Sequence, residues 1–234
     1  MKRGLLEACV LSALAREDSY GYKIVKDLSV CVQVSESTLY PILRRLENAG
    51  ALTVYSGEHN SRLRKFYHLT EQGRQQLADA VKVLIEGDGN DNAATQFTIG
   101  TSPISGVRGT LGYDQLVEFW GQFDPYTMNT ILCSTGTMTK LLKVPELQNP
   151  LTGLNFQGTG TLTTPLGAKL LRTSALPAGT LIGLDKNYAL EQICGSEITV
   201  EYDKLIDRQL ERAAITSISG FAKLFGDASK VLKV

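Results

Sequence analysis

The stretch VSESTLYPILRRLENAGALTVYSGEHNSRLRKFYHLT, Val34 to Thr70, decides how the chain begins to fold. Leu39, Ile42, Leu43 and Leu46 recur at the spacing of one buried helix stripe. Ser35 stands before that stripe, and its hydroxyl can accept a hydrogen bond from the free N–H groups of the first turn. Pro41 lies near the helix start, where its missing donor costs less. Gly50 follows Asn48 and Ala49 as a left-handed stop. The continuation ALTVYSGEHNSRLRKFYHLT predicts a strand, a turn rich in Gly, Asn and Ser, and a returning strand. The helix face away from the leucines carries Ser37, Thr38, Tyr40, Arg44 and Arg45, and the hairpin carries Arg62, Arg64 and Lys65.

Upstream, Leu5, Leu6, Cys9, Val10, Ala13 and Leu14 repeat at helical spacing, which predicts a helix over 3–15. REDSYGYKIVKDL supplies a cap at Asp18 or Ser19 and a second helix that buries Ile24, Val25 and Leu28. Three helices followed by a hairpin is the element order of a winged helix-turn-helix. Such a fold presents its third helix to the major groove. Cations on the wing add phosphate affinity without reading sequence.

The whole chain is not basic. Its 234 residues hold 24 Lys+Arg against 24 Asp+Glu, so a nucleic-acid surface must be a local patch. Hydrophobic residues make up 43%, enough for a packed core. The four cysteines, Cys9, Cys31, Cys133 and Cys194, have neither the spacing of a metal site nor that of a disulfide framework, which predicts reduced thiols in the cytoplasm. MKRGLLEACVLSALARED mimics an export signal, yet Glu7 interrupts its apolar part. No apolar run approaches the roughly 20 residues of a membrane span.

Three segments, YGYKIVKDL, STLYPILRRLENAGAL and RKFYHLTEQGRQQL, resemble the PadR family of bacterial transcriptional regulators over about residues 3–77. The resemblance implies a homodimeric winged-helix protein that binds a palindromic operator on double-stranded DNA and usually represses. It carries the DNA contacts onto Tyr20, Lys23, Ser37, Thr38, Tyr40, Arg44, Arg64 and Lys65, to which the helix start adds Ser35 and the wing adds Arg62. PadR proteins dimerise through a long helix after LTEQGR. Here that helix, about Thr70 to Ile85, offers Leu77, Ala80, Val81, Leu84 and Ile85 as its apolar side before EGDGNDN stops it. That short face predicts weak dimerisation of residues 1–86 alone.

The polar segment IEGDGNDNAATQ predicts a linker. Asp88, Asn90 and Asn92 resemble a calcium-loop start, but Ala93 stands where the loop requires glycine, which excludes the site. GYDQLVEFWGQF predicts a helix burying Leu116, Phe119 and Trp120. NTILCST, KLLRTSAL, GTLIGLD, YALEQI and EITVEYDKL predict short strands between turns, and the acidic pair Glu201/Asp203 alternates on a solvated face. The fold class is therefore α+β with non-local pairing. The only histidines, His59 and His68, both lie in the wing. No catalytic constellation and no cofactor motif occurs, which predicts a protein that is not an enzyme.

The segments GTLTTPLGAKLLRTSALPAGTLIGLDKNYALEQI and ITVEYDKLIDRQLERAAITSISGFAKLFGDASKVLKV resemble the closing half of a tailed-phage major capsid protein, over about residues 77–234. The chain then divides into a winged-helix DNA-binding domain at 1–80, a helix end and linker at 81–112, and a capsid-like α+β domain at 113–234. The expected function is a sequence-specific cytoplasmic DNA-binding regulator, with capsid-type self-association of the second domain as a further partner mode. The alternative is a virion structural fragment with a replaced front half. A ligand-sensing second domain is the third reading.

Overall fold

The computed structural model describes the backbone of residues 3–29, 34–59, 62–148, 162–205 and 210–234, and side chains over 5–28, 34–59, 62–148, 164–193 and 220–234. Cys31, the Cys194 side chain and the Glu201/Asp203 side chains lie outside these.

The head follows the expected order. Helix α1 (Arg3–Leu14) leads through a two-residue strand β1 (Ser19–Tyr20) into α2 (Gly21–Ser29). Helix α3 (Glu36–Asn48) buries Leu39, Ile42, Leu43 and Leu46 and begins at Ser35, whose Oγ accepts from Thr38 N–H at 3.3 Å. Gly50 has φ +72°, the left-handed conformation that suits glycine after a helix. Strands β2 (Leu52–His59) and β3 (Arg62–Leu69) form the wing, paired antiparallel from Leu52↔Leu69 to His59↔Arg62. Strand β1 adds to the outer side of β3, with Tyr20 opposite Phe66.

Four local expectations are corrected. Neither Asp18 nor Ser19 caps α2. Ser19 is a buried strand residue, and the Asp18 carboxylate accepts from Tyr55 Oη at 3.0 Å and pairs with His68 Nδ1 at 2.8 Å. Pro41 sits in the second turn, inside α3, where it has no N–H to offer the Ser37 carbonyl. Arg45 leaves the solvent face, because it pairs with Glu7, a carboxylate on α1 that is 1% exposed. Val25 is only partly buried against the core rather than within it.

Helix α4 (Glu71–Glu86) starts at Thr70, which caps Gly73 N–H, and ends at Gly87, whose φ is +80°. The chain then departs from the expected linker. Residues Thr95–Thr98 form strand β4, which pairs in parallel with the final strand β11 (Ser229–Lys233). Downstream come α5 (Tyr113–Trp120), β5 (Thr130–Cys133), α6 (Thr135–Leu141), β6 (Leu162–Thr163), β7 (Lys169–Arg172) and β8 (Thr180–Leu184). The six-stranded sheet has the order β4-β11-β8-β5-β7-β6. The second half of YALEQI and all of EITVEYDKL, expected as separate short strands, run together into β9 (Glu191–Leu205), which pairs antiparallel with β10 (Leu210–Ala222), while Tyr188 to Leu190 lie in the turn before it.

This sheet is covered on both faces, and its side chains alternate accordingly. Ile131, Cys133, Leu181 and Leu232 pack with Leu116, Phe119 and Phe123. Leu132, Ile182, Leu184 and Val231 join the same cluster as Leu5, Leu77 and Leu84 of the head. Helix α4 thus packs on α1 and also on β10 and β11. Trp120 differs from expectation. After α5 the chain tightens into a 3-10 turn over Gly121–Phe123, so Phe123 takes the buried place beside Phe119, their rings 5.4 Å apart, while Trp120 turns out to 44% exposure. Gly183 makes room for that pair, since a Cβ there would lie 2.7 Å from Phe119.

The segment after α4 is stitched down. Asp88 Oδ2 accepts from Lys223 N–H at 2.9 Å, and Asn92 donates through Nδ2 to the Lys223 carbonyl. The Lys223 N–H, together with the Asn90 N–H and Nδ2 that donate to Asp88 Oδ1, holds the Asp88 carboxyl below its ordinary range. Among the described residues no cluster of His, Cys, Asp and Glu could hold a metal, and no helix is long and apolar enough to cross a membrane.

Candidate nucleic-acid interface

Burial of the α3 leucine stripe leaves the opposite face to solvent. Ser35, Ser37, Thr38, Tyr40 and Arg44 are all exposed on it. The three hydroxyls cluster at the helix N-terminus: Ser35 Oγ lies 2.8 Å from Ser37 Oγ and 2.9 Å from Thr38 Oγ1. Ser37, Tyr40 and Arg44 follow one another along the helix at i, i+3 and i+7, so they share one face. Free N–H groups and the helix dipole make that end attractive to anions.

The wing supplies an aromatic layer on its outer face. The Tyr55 and Phe66 rings stack at 5.5 Å, and Phe66 meets Tyr20 edge-on at 5.6 Å. Gly57 permits this, because a Cβ there would sit 3.0 Å from the Phe66 ring. On the other side of Tyr20 stand His59, with ring centroids 5.1 Å apart, and the Arg64 guanidinium, 4.5 Å above the ring. Arg64 is therefore positioned by a cation–π contact. Arg62 and Lys65 are exposed and project from opposite faces of β3, since side chains alternate along a strand.

A cleft of about 230 Å³ joins these pieces. It is lined by Tyr20, Gly21, Tyr22, Tyr40, Arg64 and Lys65, with Tyr67 at its back. Gly21 lets the Tyr40 ring sit close, because a Cβ there would fall 2.8 Å from Tyr40 Oη and the ring would have to shift. The cleft thus brings together four residues expected at the interface: Tyr20, Tyr40, Arg64 and Lys65. Ser35, Ser37, Thr38 and Arg44 stand on the neighbouring helix face. Lys23 is already engaged, with Nζ donating to Glu17 Oε1 at 2.7 Å. That bond raises the Lys23 pKa and lowers that of Glu17.

Sequence reasoning missed Tyr22 and Gly21. Tyr22 is 57% exposed beside the cleft. The signal was the YGY triplet itself, two tyrosines flanking a glycine ahead of a helix. The expected dimerisation residues lie elsewhere. Leu77, Val81 and Leu84 are buried within the chain, with Ala80 between them, and Ile85 is partly buried against the same cluster.

Comparison with known proteins places this surface in a family. Residues 10–79 match the model of the transcriptional regulator PadR-like family. An uncharacterized protein of Lysinibacillus sphaericus is 33% identical over 85 residues, which are 34% of this chain and 78% of that protein. Two solved structures are similar. A PadR family transcriptional regulator from Eggerthella lenta is 42% identical over 32% of this chain and 67% of its own, with a TM-score of 0.30. PadR of Bacillus subtilis in complex with operator DNA is 27% identical over 33% of this chain and 46% of its own, with a TM-score of 0.31. The family match ends at residue 79, and the expected likeness of residues 77–234 to a phage capsid protein finds no support in these matches.

Proposed function

We infer, for a chain that belongs through its residues 10–79 to the PadR-like family of transcriptional regulators, that it binds double-stranded DNA sequence-specifically and controls transcription, with repression as the expected outcome. Helix α3 enters the major groove with Thr38, Tyr40 and Arg44 toward the base edges. Ser35 and Ser37 at its N-terminus, Tyr20 in the cleft and the wing cations Arg62, Arg64 and Lys65 take the backbone, and Lys23 joins them by exchanging Glu17 for a phosphate.

The observation that carries this reading is the cleft in which Tyr40, from the exposed polar side of α3, meets Arg64 and Lys65 of the wing. With equal numbers of acidic and basic residues in the whole chain, binding rests on this local patch and not on net charge. A palindromic operator needs two copies, and the apolar side of α4 is already occupied within the chain, so the proposed homodimer forms through another surface. The reading assigns no catalytic chemistry to the protein, and the cytoplasm, where the chromosome lies, is its place of action. The strands β9, β10 and β11 are seated on α1 and α4, and in this reading the second part of the chain serves as a body on the head, not as a shell-forming unit.

Selection of bound sequences from a random duplex library tests the reading. The full chain should enrich one short motif, and Tyr40→Phe or Thr38→Ala should shift the preferred bases while overall affinity changes less than tenfold. A library that emerges unenriched overturns it.

A further inference from the structure

An apolar hollow lies at the seam between the head and the sheet. It measures about 310 Å³. On one side stand α1 and α4, with Leu5, Ala80 and Leu84. On the other stand β5, β7 and α6, with Leu132, Met138 and Leu170. Neither half contains it alone, and the family match does not reach its second wall.

Its lining specifies a class of ligand. Every apolar lining residue is aliphatic, and no aromatic ring faces the hollow among the described residues. Flexible alkyl chains match such walls better than flat rings, which gain from aromatic partners. An engineered apolar cavity of about 150 Å³ holds benzene, so this one has room for roughly a dozen heavy atoms. Its size also falls at the lower end of natural ligand pockets, about 300 to 1,000 Å³. The mouth is polar. Arg16 from the end of α1 and Arg172 from the end of β7 are exposed there, and they outnumber the one carboxylate, Asp27. Thr135 and Thr139 add hydroxyl donors.

We propose that this hollow binds a medium-chain fatty-acid anion of about ten carbons, its alkyl chain between α4 and the sheet and its carboxylate held at the mouth by Arg16 and Arg172. Because α1 and α4 form one wall, occupancy bears on how the head is seated, and a change in DNA affinity would follow. That consequence rests on the DNA-binding reading; the binding itself does not.

Isothermal titration calorimetry on the full chain, without DNA, tests the proposal with decanoate as probe. Saturable one-to-one binding is expected. Arg172→Gln, at an exposed position, should weaken it at least tenfold, as should Ala80→Leu, which fills the hollow. Decan-1-ol, lacking the charge, should also bind at least tenfold more weakly. No saturable heat with millimolar decanoate overturns the site. Equal affinity for decan-1-ol, or binding indifferent to Arg172→Gln, overturns the assignment of the anionic head. Loss of decanoate binding with DNA binding intact would leave the regulator reading untouched, and the reverse holds too.

Discussion

Ser229 Oγ donates a hydrogen bond to the Leu84 carbonyl oxygen across 3.0 Å, although 145 residues separate them. The last carbonyls of a helix have no partner within it. Leu84 lies in the final turn of α4, and Ser229, fully buried, opens the last strand of the sheet. The next carbonyl, of Ile85, accepts from Ala94 N–H at 2.9 Å. The end of the head is thus completed by the second part of the chain. Ser229→Ala should leave a buried acceptor unpaired and destabilise the protein by about 1 to 3 kcal/mol. Urea denaturation followed by circular dichroism checks this, and an unchanged midpoint would show the bond to be dispensable.

Lys223 is 1% exposed, and burial pushes its pKa down to about 8 from the ordinary 10.5, against the upward pull of the Asp227 and Asp88 carboxylates and with the help of Lys230. Between those two values the unfolded chain binds more protons than the folded one, so stability rises with pH through that window. Below about 8 the penalty is fully present, on the order of 3 kcal/mol. Lys223→Met should therefore stabilise the protein at pH 7 by that order, with the advantage shrinking as pH climbs toward 10. Denaturation of both proteins from pH 7 to 10 checks it. A constant difference would mean that Lys223 stays protonated in the fold.

The glycine-rich stretch after α4 should resist proteolysis. Asp88 and Asn92 bind both sides of the Lys223 peptide, and Thr95–Thr98 lie in the sheet. Cleavage needs an exposed, locally unfolded segment. Brief digestion with a broad-specificity protease should not yield fragments of one-third and two-thirds as first products. Their early appearance would restore the linker.

The head was legible because its signals are local. A hydroxyl before a leucine stripe, a glycine after it and a polar turn between strands each act within a few residues, and α3 and the wing follow them. What escaped was set by distant partners. Arg45 looks like a solvent-face residue until Glu7 on another helix claims it. The stretch from Gly87 to Asn92 has the composition of a linker, and only Lys223 far along the chain fixes it. Trp120 and Phe123 competed for one place beside Phe119, and a change of helix type decided between them. The apolar side of α4 was legible as an interface, but its partner in this structure is the chain's own sheet.

The central claim is that α3 and the wing bind DNA, and its most direct test is the salt dependence of duplex binding. Each phosphate contact contributes about 0.9 to the slope of log affinity against log salt. Arg62 and Lys65 are exposed wing cations whose removal leaves the Tyr20–Arg64 stack in place. Fluorescence anisotropy with a labelled duplex, from about 50 to 200 mM salt, should give a steep negative slope for the native chain. The Arg62→Ala/Lys65→Ala protein should lose about two units of that slope, with affinity falling alike for all sequences. An identical slope and affinity in the two proteins would contradict the account.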